Sequence, residues 1–299
     1  MSLELCRRED LTTQRLAELE RALAEYYRNP PPEYYQMADE AWQHFSPIET
    51  PFHCDLVERI FKDAFVLELG CGTAPLFPHV EGRGATYTGI DYGEQLIAEN
   101  RRRFPRARFY QLGSPLEEQF DFVVSLYTIE HVADPPAYLE QMWNYCRPGG
   151  CLAIICPEFV ETPVLPPSFL YGRTPRRLRE KIRSMSLVDA ALHLGDLKIR
   201  GPNWKARARA SPAGAFWMNL RPRILYGAEY SIDADAVHLA RRRDLEWFWK
   251  QKGAAILQTS EAMPHVSPEV LRYNCYVVAQ KPEPVGKHAA AKTRTALHQ

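Results

Sequence analysis

The residues most suited to chemistry are a pair of glycines and an aspartate about twenty positions later. An apolar run of strand type ends at Glu68-Leu69 and turns through Gly70-Cys71-Gly72, and a second apolar run ends at Asp91. Glycines without a Cβ allow a sharp turn with positive φ and let a ligand lie against bare backbone. An acid at the end of the neighbouring strand can accept hydrogen bonds from two ribose hydroxyls. The spacing therefore predicts a nucleoside-binding turn at the edge of a parallel sheet.

Two ligand classes use such a turn, and its later residues separate them. A dinucleotide site requires a small sixth residue, so that the helix can approach the strand and hold a pyrophosphate at its N-terminus. Here Pro75 occupies the sixth position, and the charge of Glu68 would oppose a phosphate. A nicotinamide-dependent dehydrogenase is therefore the less favoured interpretation.

The motifs resemble those of the class I S-adenosylmethionine-dependent methyltransferases. Glu68-Leu69-Gly70-Cys71-Gly72 matches the first motif of that family, an acid, any residue and then G-x-G, with Ala74 at the usual third small position. Thr128–Pro135 and Arg147–Gly150 resemble its E-H-V-x-D-P and P-G-G phrases, in the family's order. The resemblance spans about residues 60–157, and it implies S-adenosylmethionine as the cofactor and methyl transfer as the activity.

The resemblance also implies cofactor-binding roles for individual residues. Glu68 and the backbone of Gly70, Cys71 and Gly72 would face the methionine part, Asp91 would bind the ribose hydroxyls, and Tyr92 would pack against ribose or adenine. The loop Leu112-Gly113-Ser114 stands where the family usually has an acid. It would frame adenine, and its serine can offer a hydroxyl.

The carboxyl end of the fourth strand would line the meeting point of methyl group and acceptor, starting with Tyr127. His131 has a pKa suited to proton transfer at neutral pH, and Glu130 could orient it or bind the acceptor. A base helps only when the nucleophile must lose a proton. The alternative is that His131 merely holds its loop by a hydrogen bond. We predict His131 and Glu130 as catalytic residues, and the sequence suggests no metal site.

The elements that must position these residues alternate between strand and helix. The resulting fold class is α/β, a Rossmann-like, mostly parallel seven-stranded sheet whose last strand is antiparallel. The predicted strands are 64–69, 87–90, 107–112, 120–126, 151–156, 254–259 and 273–280, with helices over 1–29, 94–103, 136–146 and 233–251. Residues 158–232 break the alternation and predict an α-rich insertion after the fifth strand.

This pattern predicts five segments in the chain. They are an N-terminal helical lid (1–55), a cofactor-binding core (56–157), an insertion that binds substrate (158–232), the C-terminal part of the core (233–281) and a disordered tail (282–299). Aromatic residues within 33–42 are candidates to close over the ligand, with plain packing as the alternative.

The insertion carries most of the local positive charge. Between Arg173 and Arg209 there are eleven Lys or Arg residues and three acids. Such charge could bind a phosphate or carboxylate on the acceptor. It could also be a solvated helix face, or, with Trp204 and Trp217, a surface that contacts and stacks on nucleic acid.

Composition limits the remaining function classes. The 299 residues have a formal net charge of zero, which disfavours global attraction to nucleic acid, and no apolar run has the length of a membrane span. Seven cysteines without a C-x-x-C pair favour a reducing cytoplasm. We therefore predict a cytoplasmic methyltransferase that acts on O or N of a small molecule, with an anionic acceptor as one candidate. The alternatives are an RNA or polymer methyltransferase and a non-catalytic nucleoside-binding scaffold.

Overall fold

A seven-stranded sheet forms the centre of the computed structural model, which describes residues 5–28, 45–170, 178–222, 231–264 and 266–284. The strands, numbered along the chain, are β1 (Leu5–Arg7), β2 (Phe65–Leu69), β3 (Thr86–Asp91), β4 (Arg108–Gln111), β5 (Phe120–Leu126), β6 (Cys146–Pro157), β7 (Trp217–Asn219), β8 (Ala255–Thr259) and β9 (Asn274–Gln280). The spatial order in the main sheet is β4-β3-β2-β5-β6-β9-β8. The predicted fold class is confirmed.

The strand order reverses between β2 and β5. Both pair in parallel with their neighbours, whereas β9 runs antiparallel between β6 and β8. In open α/β sheets, ligands bind at the carboxyl ends of the strands where the order reverses. The predicted glycine turn follows β2 and the predicted catalytic loop follows β5, so both lie at this position.

Helices cover both faces of the sheet. They are α1 (Thr13–Arg28), α2 (Pro51–Arg59), α3 (Phe77–Gly82), α4 (Glu94–Arg103), α5 (Pro135–Tyr145), α6 (Leu178–Arg183), α7 (Leu187–Gly195), α8 (Gly201–Ala210), α9 (Arg242–Gln251) and α10 (Pro268–Tyr273). None of the helices in the described parts combines the length and apolar character needed to span a membrane.

The central strands are buried on both faces because helices pack against each side. In β2, Val66 belongs to one apolar cluster, while Leu67 and Leu69 belong to the cluster on the opposite face. Alternate side chains of a strand point to opposite faces, so Glu68 shares the face of Val66. This register places a carboxylate inside the apolar layer, directly before the glycine turn.

The insertion after β6 has its own small core. Helix α8 contributes Trp204 to this core and β7 contributes Trp217, and the two residues are 2% and 3% exposed. Helices α6 and α7 and a π-helical turn at Asp196–Arg200 precede α8. Strand β7 of the insertion pairs antiparallel with β1. The insertion is therefore joined to the N-terminal segment as well as to the sheet.

Two predicted helices differ from the structure. The helix predicted over 233–251 begins only at Arg242, because the backbone before it pairs with other segments. Leu239 N–H donates to the Trp217 carbonyl, and Val237 N–H donates to the Glu130 carbonyl. The helix predicted over 1–29 begins at Thr13, after β1. The aromatic segment 33–42 and most of the tail 282–299 lie outside the described residues.

Candidate active site

The turn after β2 depends on two glycines that differ in their surroundings. Gly70 has φ +76°, and a Cβ at this position would lie 2.2 Å from Cγ2 of Thr128. Gly72 has φ +51°, and a Cβ there would meet no atom within 4 Å. Gly70 thus permits close packing of the turn against the loop after β5, whereas Gly72 leaves open space beside the backbone.

Asp91 is held at the end of β3 by two backbone donors. The N–H of Gly72 donates to its Oδ2 at 2.8 Å, and the N–H of Gly93 donates to its Oδ1 at 3.1 Å. Burial raises the pKa of Asp91, while these backbone hydrogen bonds lower it in part. Each carboxylate oxygen keeps a second lone pair, so Asp91 can still accept from two ribose hydroxyls.

Glu68 is buried beneath the turn. The hydroxyl of Tyr87 donates to its Oε2 at 2.5 Å. Burial raises the pKa of Glu68 to about 8, although the Tyr87 hydrogen bond opposes the shift. A carboxyl group in this position favours a cationic ligand, because a nearby positive charge would stabilise its ionised form.

One cavity of about 1210 Å³ connects this turn to the predicted catalytic loop. The predicted site residues that line it are Glu68, Gly70, Cys71, Gly72, Asp91, Tyr92, Leu112, Tyr127, Glu130 and His131. The side chain of Cys71 is buried, so that residue offers its backbone. Ser114 is not among the lining residues, so its predicted contact with adenine finds no support in the cavity.

Two non-glycine residues that line the cavity have left-handed backbone conformations. Tyr127 has φ +50° and Asp233 has φ +55°. Such conformations are costly for a tyrosine and persist only where the surrounding structure enforces them, which is common at functional sites. The Tyr127 N–H donates to the Ile155 carbonyl at 2.7 Å, which fixes this residue at the end of β5.

Side chains from two distant segments and the neighbouring Glu130 surround His131. Its Nδ1 lies 3.4 Å from Oδ1 of Asp235, and its Nε2 lies 3.8 Å from Oε1 of Glu130. Helix α1 contributes Tyr27, whose hydroxyl donates to Oδ2 of Asp235 at 2.5 Å. Glu130, His131 and Asp233 each place one ligand-type atom within 4.8 Å of the others, a spacing that a metal ion could use.

The charges in this group perturb one another. Burial lowers the pKa of His131, but the carboxylates of Asp235, Glu130 and Asp233 outweigh it and the net shift is upward. Burial raises the pKa of both Glu130 and Asp233, and the charge of His131 opposes each shift. Groups with such opposed influences are typical of sites that bind charge or move protons.

Sequence analysis did not identify Tyr27, Asp233 or Asp235 as site residues. They lie far along the chain from Glu130 and reach it only through the docking of α1 and of the segment before α9. The signal available in the sequence was the pair of acids in Asp233-Ala234-Asp235, at the end of the insertion. Nothing in the local pattern links that pair to the loop after β5.

The described positive charges of the basic stretch do not line the cavity. The described Lys and Arg residues of the basic stretch, none of which lines the cavity, are Arg179, Lys181, Arg183, Lys198, Arg200, Lys205, Arg207 and Arg209. Lys205 Nζ donates to the carbonyls of Thr162 and Val164. Arg209 forms an ion pair with Glu161 at 3.2 Å. These groups support the insertion itself.

A Rossmann-like sheet, a glycine turn after its first core strand and an acid at the end of the next strand define a nucleoside-binding α/β enzyme site. Comparison with known proteins narrows this class. The model of the methyltransferase domain family matches residues 50–259. The chain belongs to this family, whose cofactor is S-adenosylmethionine.

Individual relatives share parts of the chain. The ubiquinone biosynthesis O-methyltransferase of Pseudomonas putida is 35% identical over 94 residues, which are 28% of this chain and 40% of that protein. The chain thus matches less than half the length of this curated relative. A methyltransferase from Clostridium acetobutylicum has a TM-score of 0.50 at 10% identity, covering 84% of this chain and 98% of that one.

A second structure has the same fold at similar coverage. It is the 1,6-didemethyltoxoflavin-N1-methyltransferase of Burkholderia thailandensis, solved with 1,6-didemethyltoxoflavin and S-adenosylhomocysteine. Its TM-score is 0.50 at 13% identity, covering 91% of this chain and 92% of that one. At these identities the likeness is one of fold.

The residues present fit S-adenosylmethionine, the cofactor of the family. Gly72 leaves space for a ligand against its backbone, Asp91 retains acceptors for ribose, and the buried Glu68 suits the ammonium of the methionine part. When bound, this cofactor supplies an electrophilic methyl group on a sulfonium.

Proposed function

We propose that the enzyme methylates O or N of a small-molecule acceptor bound between the glycine turn and His131. The observation that carries this proposal is the single cavity of about 1210 Å³ that reaches both places. Pockets for one small molecule commonly measure roughly 300–1,000 Å³. The cavity therefore has room for an acceptor beside the cofactor.

The protein would contribute mainly position and proton transfer. Methyl transfer forms a bond from the acceptor lone pair to carbon while the carbon–sulfur bond breaks, and its electron pair stays on sulfur. Alignment of the two reactants accounts for much of the acceleration of such reactions. We assign His131, with its raised pKa, as the proton acceptor, and Asp235, 3.4 Å from its Nδ1, as the group that orients it.

Two of the predicted segments, the N-terminal lid and the insertion, contribute to the wall of the cavity. Helix α1, part of the proposed N-terminal lid, lines the cavity with Glu20, Leu23 and Tyr27, and the insertion lines it with Phe159 and Leu165 among others. Both segments would therefore select the acceptor. We further propose a cytoplasmic setting, supported by the free thiols of Cys54, Cys71, Cys146, Cys151, Cys156 and Cys275.

The alternatives have weaker support. Trp204 and Trp217 are buried in the core of the insertion, so neither ring is available to stack on the bases of RNA. An anionic acceptor, which the basic insertion suggested, finds no lysine or arginine among the described lining residues. A non-catalytic scaffold would bind the cofactor without turnover.

Calorimetry with S-adenosylhomocysteine, followed by assays with methyl-labelled donor and a panel of alcohols, phenols and amines, tests the proposal. We expect binding of the product and transfer to at least one acceptor. His131→Ala should slow transfer at saturating acceptor by roughly a hundredfold, the common size of general-base effects, with unchanged affinity for the product. A normal rate would remove His131 from its role, and binding without transfer would support the scaffold.

A further inference from the structure

We propose that the acceptor is an amine, and that its ammonium group binds to an acidic cluster made of Glu130, Asp233 and Asp235. This inference rests on the proposed function and names its substrate class. The cluster lines the part of the cavity next to His131.

The inference depends most on the carboxylate of Glu130, which is buried without a hydrogen-bond partner. Its side chain is fully buried, and neither carboxylate oxygen has a hydrogen-bond partner. The His131 ring nitrogen nearest to it, at 3.8 Å, is beyond hydrogen-bond distance. Buried carboxylates in folded proteins are nearly always paired, and an unpaired one is destabilising. Because Glu130 also lines the cavity, a ligand that donates hydrogen bonds would satisfy it.

The charge around Glu130 decides which donor fits. Asp233 and Asp235 line the same region, and the described lining residues include no Lys or Arg. In this region of the described cavity lining, an anionic acceptor would meet three carboxylates against the single imidazole of His131, whereas an ammonium would be attracted to the carboxylates. An ammonium also provides three N–H donors, enough to reach more than one carboxylate.

The rest of the wall suits an amine attached to an apolar body. Tyr27 and Tyr127 line the cavity, and the faces of such rings attract an ammonium that lies within about 6 Å. Leu23, Phe159 and Leu165 add apolar surface to the same cavity. An apolar amine would therefore place its charged end at the cluster and its body against these side chains.

The proton balance of the reaction is consistent with this binding mode. The bound ammonium first gives one proton to the protein, either to a carboxylate of the acidic cluster or to His131. The acceptor is then a neutral amine with a free lone pair. Formation of the nitrogen–carbon bond, with loss of the carbon–sulfur bond, returns a positive charge to nitrogen. The product is a methylated ammonium, and the proton held by the protein passes to water. No additional reactant is needed.

The test uses three sets of matched probes, built on phenyl, naphthyl and octyl bodies, each as a primary amine, an alcohol and a carboxylate. Binding is measured by calorimetry on the full chain saturated with S-adenosylhomocysteine. We expect the amine of each set to bind at least tenfold more tightly than its alcohol and its carboxylate. Equal or tighter binding of the alcohols or carboxylates, or no binding of any amine at millimolar concentration, would overturn the inference.

Two variants connect the selectivity to Glu130. Glu130→Gln keeps the shape of the side chain, and it should remove most of the preference for amines. It should also raise the melting temperature of the ligand-free protein, because it removes an unsatisfied buried carboxylate; a purely structural glutamate would lower it. Glu25→Gln, at an exposed position on α1 outside the cavity lining, is the matched control and should change neither property.

The remaining outcomes are also decisive. Glu130-dependent binding of Mn²⁺ that is tighter than that of any amine would assign the cluster to a metal ion and overturn the inference. If the unmodified protein does not bind S-adenosylhomocysteine, the proposed function itself is contradicted. Failure of the proposed function and failure of the amine inference therefore give different results.

Discussion

The two glycines of the turn should respond differently to the same substitution. Gly70→Ala should lower the free energy of unfolding by about 2–5 kcal/mol, because the new methyl group would overlap Thr128 and the left-handed backbone adds its own cost. Gly72→Ala should cost less, about 1–2 kcal/mol from its left-handed backbone alone, yet weaken binding of S-adenosylhomocysteine. Urea unfolding and calorimetry measure the two effects. Equal losses of stability would contradict the packing role of Gly70.

Asp91 offers a second test of the cofactor half of the site. Asp91→Ala should reduce the affinity for S-adenosylhomocysteine by about tenfold or more, because two hydrogen bonds to a charged acceptor are lost. Calorimetry at one temperature suffices, with thermal melting to confirm that the variant folds. The affinity of Asp91→Asn, which keeps one oxygen acceptor, should lie between those of the unmodified protein and Asp91→Ala. Unchanged affinity in both variants would show that Asp91 does not bind ribose.

Residues of the glycine turn could be predicted from the sequence because their roles are local. A positive φ at Gly70 and the hydrogen bond from Gly72 to Asp91 both follow from a strand, a turn and a neighbouring strand. Asp233 and Asp235 could not be predicted in this way. Their position beside Glu130 depends on backbone pairing between segments about a hundred residues apart, which no short pattern encodes.

Helix α1 illustrates the same difference at the scale of an element. Its apolar periodicity predicted a helix, but not that Tyr27 would reach the catalytic loop. The segment before α9 is the opposite case, because apolar residues such as Leu239 suggested a helix where the chain is extended. Pairing of this segment with Trp217 and Glu130 satisfies its backbone, and tertiary contacts thus override the helical pattern.

Docking of α1 should affect catalysis more than cofactor binding. Tyr27→Phe removes the hydroxyl that donates to Asp235, and Asp235 in turn lies beside His131. We expect a severalfold lower kcat, a loss of stability of about 0.5–1.5 kcal/mol and unchanged affinity for S-adenosylhomocysteine. Tyr26→Phe, on the same helix but outside the cavity lining, is the control. Identical kcat values in the two variants would show that α1 does not influence catalysis through the Tyr27 hydroxyl.

At the scale of the whole molecule, the order of the strand and helix motifs along the chain was enough to predict a mostly parallel sheet. Parallel strands buried on both faces tend to form apolar runs. Strands β2 and β5 are largely apolar, and β3 is buried from Tyr87 to Ile90. The insertion lacked any such signal, since its elements are short and its core, which includes Trp204 and Trp217, assembles from separated residues. The sequence therefore predicted where the insertion lies, but not how it is built.

Buried carboxylates should make the stability of the whole ligand-free protein depend on pH. The pKa of Glu68 is about 8 in the folded state, against 4.5 in the absence of burial. Between these values the folded state holds a proton that the unfolded state releases, so the free energy of unfolding should fall as pH rises from about 4.5 to about 8. Glu130, whose pKa burial also raises, adds to the same trend.

Glu68→Gln should therefore flatten this dependence. Relative to the unmodified protein, the variant should gain stability as pH rises toward 8. Its gain should be smallest below about pH 4.5, where Glu68 is protonated in both the folded and the unfolded state. Urea unfolding at several pH values measures the difference. Glu117→Gln, at an exposed position, should leave the pH dependence unchanged. A difference that shrinks with rising pH would mean that Glu68 is stabilised as a carboxylate, because only an ionised group paired in the folded state gains stability in that direction.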